Sequence, residues 1–264
     1  MAKIIAIANQ KGGVGKTTTS INLAAGLAYT NQRILLVDFD PQGNATQGIG
    51  AKAVGFDKTV YDVIMQNASV KDCVVNLPIY SPKLDVLCSN VNLAGADLEM
   101  ANYKEGREKL LKRKLDEVRD DYDYIIIDCP PSLGLLNTNA LTAADSVIIP
   151  VQSEYYALEG IMQLINTVML TQKKINPDLD IEGVLLTMLT VNTNLGLEVI
   201  NSIKEFFKER VYDTIIPRLI RLAEAPSHGK TILEYDPKGK GALAYINLAK
   251  EVIERNGTKE ESIG

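Results

Sequence analysis

The stretch Lys11-Gly12-Gly13-Val14-Gly15-Lys16-Thr17-Thr18 decides the fold, because glycines and a lysine at this spacing are typical of a phosphate-binding loop. Glycine lets successive main-chain N–H groups turn inward onto phosphate oxygens, where a Cβ would clash or resist a positive φ angle. Lys16 is suited to place a positive charge on β- and γ-phosphates, and the Thr17 hydroxyl is suited to Mg²⁺. The loop also carries Lys11, a second lysine that phosphate binding by itself does not require.

The residues on either side supply the context that this motif needs. Residues 3–8 (KIIAIA) form an apolar run typical of a buried strand, and residues 17–29 carry the spacing of a helix. A helix that begins near residue 16 directs the positive end of its dipole at a bound anion. The segment therefore predicts a strand, a phosphate loop and a helix, and with them a nucleoside triphosphate as ligand.

The overall composition limits the class of protein. The 264 residues contain no linker-like run, and 28 Lys and Arg against 33 Asp and Glu give a net charge of −5, which argues against a uniformly basic protein. No stretch approaches the roughly 18 apolar residues of a membrane span, and the N-terminus lacks a signal-peptide pattern. Cys73, Cys88 and Cys129 lack CxxC spacing, which favours reduced thiols. We expect a cytoplasmic protein without a membrane partner.

Apolar runs alternate with helical patterns along the chain, which is typical of parallel βαβ units. On the helix at 195–209, we expect Val199, Ile203, Phe206 and Phe207 to form one buried face. The prediction is a single-domain α/β P-loop NTPase fold over residues 1–255, a mostly parallel twisted sheet with helices on both faces, followed by a polar tail at 256–264. Further strands are expected at 33–38, 84–88, 123–128, 145–151, 182–189 and 211–216, and further helices at 154–172, 195–209 and 241–256.

Three aspartates follow apolar strands, and ligands bind at the carboxyl ends of strands in open α/β sheets. Asp38 and Asp40 follow the second strand, and Asp128 ends the run Ile125-Ile126-Ile127. A strand that ends in aspartate beside a phosphate loop is suited to support Mg²⁺, so we expect this role for Asp128, with a helix cap as the alternative. Asp40 is placed to orient an attacking water, and its alternative is a turn-forming residue before Pro41.

Five separated motifs in the same order resemble the ParA/MinD group of deviant Walker ATPases, and most closely the ParA/Soj chromosome-partitioning ATPases. The resemblance covers about residues 2 to 255. The motifs are KGGVGKTT at 11–18, VDFDPQGNAT at 37–46, IIIDCPPSLG at 125–134, PVQSEYYALEG at 150–160 and RLAEAPSHGK at 221–230.

The resemblance implies ATP and Mg²⁺ as cofactors and a role for each matching residue. Lys11 would reach the phosphates of the partner in an ATP-dependent homodimer, Lys16 would contact those of its own subunit, and Asp40 would position the attacking water. Two facing subunits bring like-charged phosphates together, and an extra cation from each subunit offsets that repulsion. Thr17, Asp38 and Asp128 would support the metal. The cofactor-binding set would be Lys11, Gly12, Gly13, Val14, Gly15, Lys16, Thr17 and Thr18, with Met188 and Pro217 near adenine.

Three outputs of such a nucleotide switch compete: a membrane, an iron–sulfur cluster and DNA. A membrane-targeting helix is expected to be basic, but residues 251–264 hold four Glu against one Arg and one Lys. The cysteine contexts of an iron–sulfur member are also absent. DNA is favoured by the resemblance, because ParA/Soj proteins bind DNA without sequence preference through basic residues in the C-terminal part of the chain. The basic residues expected to do so are Arg218, Arg221, Lys230, Lys238 and Lys240.

Two features weaken the case for DNA or leave it open. Residues 217–240 also contain Glu224, Glu234 and Asp236, so charge alone does not distinguish a DNA surface from a solvated rim. Where close relatives carry a basic residue after the TML strand, this chain has Thr190-Val191-Asn192, so one contact is expected to be missing or weaker. A second basic run, Lys104 to Lys114, is interpreted as a solvated helix face.

The resulting hypothesis is a nucleoid-associated ATPase of chromosome segregation. Its ATP-bound dimer would bind nonspecific DNA, and a ParB-type centromere-binding protein would stimulate hydrolysis. Two alternatives remain: a ParA-like positioner of a plasmid or protein cargo, and a nucleotide-switched regulator of a replication initiator.

Overall fold

The computed structural model describes residues 1–80, 83–132, 134–152, 157–189 and 194–261. In this part of the chain, eight strands form one sheet in the order β3-β4-β2-β5-β1-β6-β7-β8. All neighbouring strands are parallel except β3 and β4, which are antiparallel. The strands are β1 Lys3–Ile7, β2 Ile34–Asp38, β3 Val74–Asn76, β4 Leu84–Leu87, β5 Tyr124–Asp128, β6 Ser146–Gln152, β7 Asp180–Leu189 and β8 Ile216–Pro217.

Helices connect the strands, as parallel pairing requires. Short 3₁₀ turns complete several of the connections, among them Ala225–His228. The helices are α1 Lys16–Tyr29, α2 Asn44–Gly48, α3 Ala51–Val54, α4 Val60–Met65, α5 Leu93–Ala101, α6 Leu110–Asp116, α7 Leu135–Ala143, α8 Ala157–Lys174, α9 Asn194–Phe207, α10 Ile220–Glu224, α11 Ile232–Tyr235 and α12 Lys240–Glu261.

Side chains of β1 alternate between two hydrophobic cores, one on each face of the sheet. Ile4 and Ala6 pack into a core with residues of α7, whereas Ile5 and Ile7 pack into a core with residues of α1 and α12. Successive strand residues point to opposite faces, so apolar runs are expected where both faces are buried. The predicted α/β fold, with a mostly parallel sheet covered on both sides, is confirmed.

The predicted strand at 211–216 is wrong over most of its length. Only Ile216–Pro217 pairs as a strand, and Val211 makes a single isolated bridge to Val184. The reason lies in α12, where the Glu251 carboxylate accepts hydrogen bonds from the main-chain N–H groups of Asp213 and Thr214 at 2.9 and 3.0 Å. These N–H groups are therefore satisfied by a side chain instead of a neighbouring strand.

Two helices also differ from expectation. On α9, Val199, Ile203 and Phe207 are buried, but Phe206 is 58% exposed and packs edge-on against Phe207. The three buried residues are spaced by four and therefore share one face of the helix, whereas Phe206 lies outside that face. Helix α12 continues past residue 255, and the Asn256 side chain donates hydrogen bonds to Glu182 and to the Val252 carbonyl. The division between a domain and a tail stays a prediction.

The three cysteines are buried and unbridged. No helix in the described ranges combines the length and apolar character that crossing a bilayer requires.

Candidate nucleotide site and basic surface

The phosphate loop joins the carboxyl end of β1 to the first turn of α1. Gly13 and Gly15 adopt φ angles of 75° and 88°, which favour glycine, and a Cβ on Gly12 would meet open space. Asn9 anchors the start of the loop, since its Oδ1 accepts from the Lys11 N–H at 3.0 Å and its Nδ2 donates to the Pro150 carbonyl at 2.8 Å. Asn9 was not predicted, because an asparagine before a glycine-rich loop carries no distinctive spacing.

Lys16 is almost fully buried inside this loop, although it is charged. Its Nζ donates to the main-chain carbonyl oxygen of Lys11 at 3.2 Å. Burial lowers the pKa of Lys16, and the negative charges of Asp128 and Asp40 partly oppose that effect. The loop therefore holds a desolvated cation beside main-chain N–H groups, an arrangement that stabilises phosphate oxygens.

Two buried aspartates face each other beside the loop. Asp38 and Asp128 are register partners at the ends of β2 and β5. Burial raises the pKa of Asp128 to about 8 and that of Asp38 to about 6, and in Asp128 the charge of Asp38 adds to the effect. A bound cation would favour the ionised forms of both carboxyl groups, so the pair is suited to a metal ion.

The two carboxylates differ in their hydrogen bonds. Asp38 Oδ2 accepts from both the N–H and the hydroxyl of Thr46 at 2.7 Å, which ties β2 to α2. Asp128 Oδ1 accepts from the Ser20 hydroxyl at 2.8 Å, whereas its buried Oδ2 has no hydrogen-bond partner among the described residues. The open oxygen fits a hydrated Mg²⁺ near Thr17, since this cation takes oxygen ligands and retains waters.

Asp40 lies in the loop between β2 and α2 and is 8% exposed. Its Oδ1 accepts from the Gln42 N–H at 2.9 Å, and its carbonyl accepts from the Gly43 N–H at 2.9 Å. These bonds stabilise a turn, as the structural alternative requires, and they also fix the carboxylate near Lys16. Its role in positioning water stays a prediction.

A cavity of about 520 Å³ opens beside the loop and is lined by Gly15, Thr18, Met188 and Pro217, among others. The Thr187 hydroxyl and the Gln152 amide bind the loop carbonyls of Val14 and Gly13, each at 2.8 Å. The structure thus brings the two residues predicted near adenine into one cavity with the loop, and it adds Thr187 and Gln152 as loop supports. Assignment of the cavity to adenine stays a prediction.

All five residues predicted to bind DNA are exposed. Arg218, Arg221 and Lys240 line a second cavity of about 440 Å³, and Arg221 forms an ion pair with Asp236 at 3.2 Å. Arg218 also lines the cavity beside the phosphate loop. Lys230 and Lys238 lie elsewhere in the same segment, outside the residues that line either cavity. Residues Thr190-Val191-Asn192, where one basic contact was expected to be missing, lie outside the described residues.

The basic run at 104–114 differs from this surface because several of its members have acidic neighbours. Arg107 pairs with Glu108, Lys112 with Asp116 at 3.7 Å, and Lys114 with Glu117 at 3.2 Å. These contacts agree with a solvated face of internally paired charges.

A phosphate loop between β1 and α1, with aspartates at the ends of adjacent strands, defines a P-loop nucleotide-binding protein. Comparison with known proteins narrows the class. The family model described as AAA domain matches residues 2–181. The sporulation initiation inhibitor protein Soj of Bacillus subtilis is 59% identical over 96% of this chain and 98% of its own length. The chromosome partitioning protein ParA of Myxococcus xanthus is 47% identical over 98% and 90%. The chain therefore belongs to the ParA/Soj family of chromosome-partitioning ATPases.

Solved structures agree on fold and ligands. A Mycobacterium smegmatis protein described as cobyrinic acid a,c-diamide synthase, with bound ADP and magnesium, superposes with a TM-score of 0.81 at 36% identity, covering 95% of this chain and 93% of its own. The same protein is also known with an ATP analogue and magnesium. The ATP and Mg²⁺ that the family resemblance implied agree with the adenine nucleotides and magnesium bound to this related fold.

Proposed function

We propose that this chain is a Mg²⁺-dependent ATPase of chromosome segregation whose ATP-bound homodimer binds DNA without sequence preference. The observation that carries the proposal is the position of Arg218, which lines both the cavity beside the phosphate loop and the basic cavity with Arg221 and Lys240. A nucleotide changes affinity for a partner only by interacting differently with two states of the protein. Because Arg218 lines both cavities, a nucleotide at one cavity and DNA at the other would be close to the same side chain.

The nucleotide half of the proposal assigns a role to each group at the loop. Main-chain N–H groups of 12–16 and the Lys16 ammonium bind the phosphates, and Thr17 with Asp128 holds the magnesium that supplies charge neutralisation when bound. Asp38 braces α2 through Thr46 and adds negative charge on the metal side. Asp40 orients the attacking water toward the γ-phosphate.

The homodimer follows from Lys11. Asn9 and Lys16 both bind the main chain of Lys11. These contacts hold Lys11 at the start of the loop and do not depend on the Lys11 side chain. From there, its ammonium group reaches the phosphates of a facing subunit and offsets the repulsion between two nucleotides. ATP then joins two copies of the chain.

The DNA half of the proposal rests on five exposed basic side chains. Arg218, Arg221, Lys230, Lys238 and Lys240 contact backbone phosphates, which carry no sequence information. A ParB-type centromere-binding protein stimulates hydrolysis, the dimer separates, and the chain leaves the DNA. In the cell this cycle places the protein in the cytoplasm, on the nucleoid, without a membrane partner.

DNA retention with ATP, ADP and no nucleotide tests the proposal, using wild type and Asp40→Ala. We expect retention only with ATP, and longer retention for Asp40→Ala because hydrolysis is slow. Arg218→Ala should weaken retention, whereas Arg113→Ala, an exposed arginine of the paired basic run, should not. Retention that ignores the nucleotide would contradict the switch.

A further inference from the structure

Asn22 on α1 connects the phosphate loop to the residues that carry the basic side chains. It is 2% exposed, and its Nδ2 donates to the Thr18 carbonyl at 2.8 Å. Its Oδ1 accepts from the main-chain N–H of Ile232 at 2.7 Å. One buried amide thus binds the first turn of α1 and the first residue of α11. We call residues 217–240, which contain α10 and α11, the basic segment.

The bond to Ile232 has a clear physical basis. The first N–H groups of a helix have no partner within the helix, and a buried one needs an acceptor from elsewhere. Thr231 and Glu234 form a capping box at this helix start, which satisfies two donors. Asn22 satisfies the N–H of Ile232, so α11 begins at a position that α1 determines.

A second contact attaches the basic segment to the chain just after α2, the helix that follows the Asp40 loop. Gly50 follows α2, and a Cβ built on it would lie 2.4 Å from the carbonyl oxygen of Gly229. Both glycines have positive φ angles, 83° and 59°. The two main chains approach as closely as glycine permits, and Lys230 follows directly. The same α2 is bound to Asp38 through Thr46.

The two attachments meet different parts of the nucleotide site. Asn22 lies on the helix that begins with Lys16 and Thr17, and Gly50 ends the segment that begins with Asp40. Within the basic segment, Asp236 pairs with Arg221, so a shift of α11 also shifts an arginine of the basic cavity.

We propose that Asn22 is a positioning residue that, together with the Gly50–Gly229 contact, makes the placement of the basic segment depend on the nucleotide site. The proposal rests on DNA binding by the basic segment. Coupling between two ligands requires an element whose arrangement both of them bias. The buried amide of Asn22 and the close approach of Gly50 to Gly229 join the basic segment to α1 and to the end of α2, the helices that follow the phosphate loop and the Asp40 loop.

The experiment compares DNA retention with ATP and with ADP for wild type, Asn22→Leu, Gly50→Ala and Gly55→Ala. Leucine has the same number and branching of side-chain heavy atoms as asparagine, but it cannot accept from the Ile232 N–H or donate to the Thr18 carbonyl. Alanine at Gly50 collides with Gly229. Gly55 is a matched control, because its φ is 88° but a Cβ there has nothing within 4 Å. ATP binding and thermal melting are measured for each variant in parallel.

We expect the ratio of ATP to ADP retention to fall at least about fivefold in Asn22→Leu and Gly50→Ala, which is the lower range of coupling between ligands. ATP affinity should stay within about twofold of wild type, and Gly55→Ala should keep the wild-type ratio. A merely structural role lowers the melting temperature but leaves the ratio unchanged, and that result would overturn the proposal.

The outcomes separate the two proposals. If wild type retains DNA equally with ATP and ADP, the proposed function fails, and there is no coupling for Asn22 to position. If wild type discriminates and both variants discriminate equally well, only the positioning role fails. If Asn22→Leu does not fold, Gly50→Ala is compared with Gly55→Ala. Equal ratios of ATP to ADP retention in these two variants would contradict the proposal.

Discussion

The Nζ of Lys16 donates a hydrogen bond to the main-chain carbonyl oxygen of Lys11 at 3.2 Å, so the two lysines of the loop are linked through main chain. Substituting the Lys11 side chain leaves this contact in place. The two lysines can therefore be tested independently, one for binding within a subunit and the other for contact between subunits.

Lys16→Ala should abolish tight nucleotide binding. The substitution removes the buried cation from the loop, and a hydrogen bond to a charged group contributes about 1.5–3 kcal/mol, so we expect ATP affinity to fall by at least about tenfold. Calorimetric titration with ATP and magnesium measures the effect. Arg113→Ala, at an exposed residue outside the nucleotide cavity, is the control and should bind ATP as wild type does. Equal affinities for Lys16→Ala and wild type would remove Lys16 from the phosphate site.

Asp40→Asn separates the catalytic role of Asp40 from its role in the turn. Asparagine keeps an oxygen that accepts from the Gln42 N–H but loses the charge that orients water. We expect the hydrolysis rate to fall by about 100-fold or more, because a positioned base contributes about 10² to 10⁴ in rate. ATP affinity should not change. Steady-state release of phosphate gives the rate, and normal hydrolysis by Asp40→Asn would support the turn role alone.

The stability of the magnesium-free protein should fall as pH rises from about 5 to 8. The folded-state pKa of Asp128 is raised from its ordinary value of 3.8 to about 8, so the folded protein holds a proton that the unfolded chain has released. Each retained proton lowers the free energy of unfolding by at most about 1.4 kcal/mol per pH unit. Asp128→Asn, which cannot ionise, should lose this part of the slope. Urea unfolding of both proteins in buffer with chelator, at about pH 5, 6, 7 and 8, measures the difference. If the free energy of unfolding depends on pH equally in wild type and Asp128→Asn, the raised pKa does not belong to Asp128.

Arg218→Ala should weaken DNA binding in a salt-dependent manner. Each phosphate contact releases counterions, so loss of one contact should reduce the slope of log affinity against log salt by about one. Binding of the ATP-bound protein to a duplex is titrated at several salt concentrations, with Arg113→Ala as the control. An unchanged slope would place Arg218 outside the DNA surface.

The sequence was sufficient to predict the elements around the loop, because their signals are local. Glycine spacing, the apolar run at residues 3–8 and the helical pattern after it specify β1, the phosphate loop and α1. Long parallel strands were also predictable, since burial on both faces leaves continuous apolar runs. The predicted strand at 211–216 failed because Glu251, distant in sequence, binds the main-chain N–H groups of two of its residues.

The residues that hold the nucleotide site in place were harder to predict than the residues expected to contact phosphate or metal. Asn9, Asn22 and Thr187 are polar residues whose function depends on partners up to 210 residues away, as in the bond from Ile232 to Asn22. No spacing rule identifies such pairs. The ion pair between Arg221 and Asp236 is similar, because sequence proximity does not reveal which basic side chain is partly neutralised.

The mass of the protein in solution tests the central claim, that ATP joins two copies through Lys11. Light scattering is measured for Asp40→Ala, which preserves ATP, and for the double variant Lys11→Ala with Asp40→Ala, each with ATP and with ADP in the presence of magnesium. We expect the mass of a dimer for Asp40→Ala with ATP, and the mass of a monomer with ADP and for the double variant with either nucleotide. A monomer mass for Asp40→Ala with saturating ATP, or a dimer that forms equally well without Lys11, would contradict it.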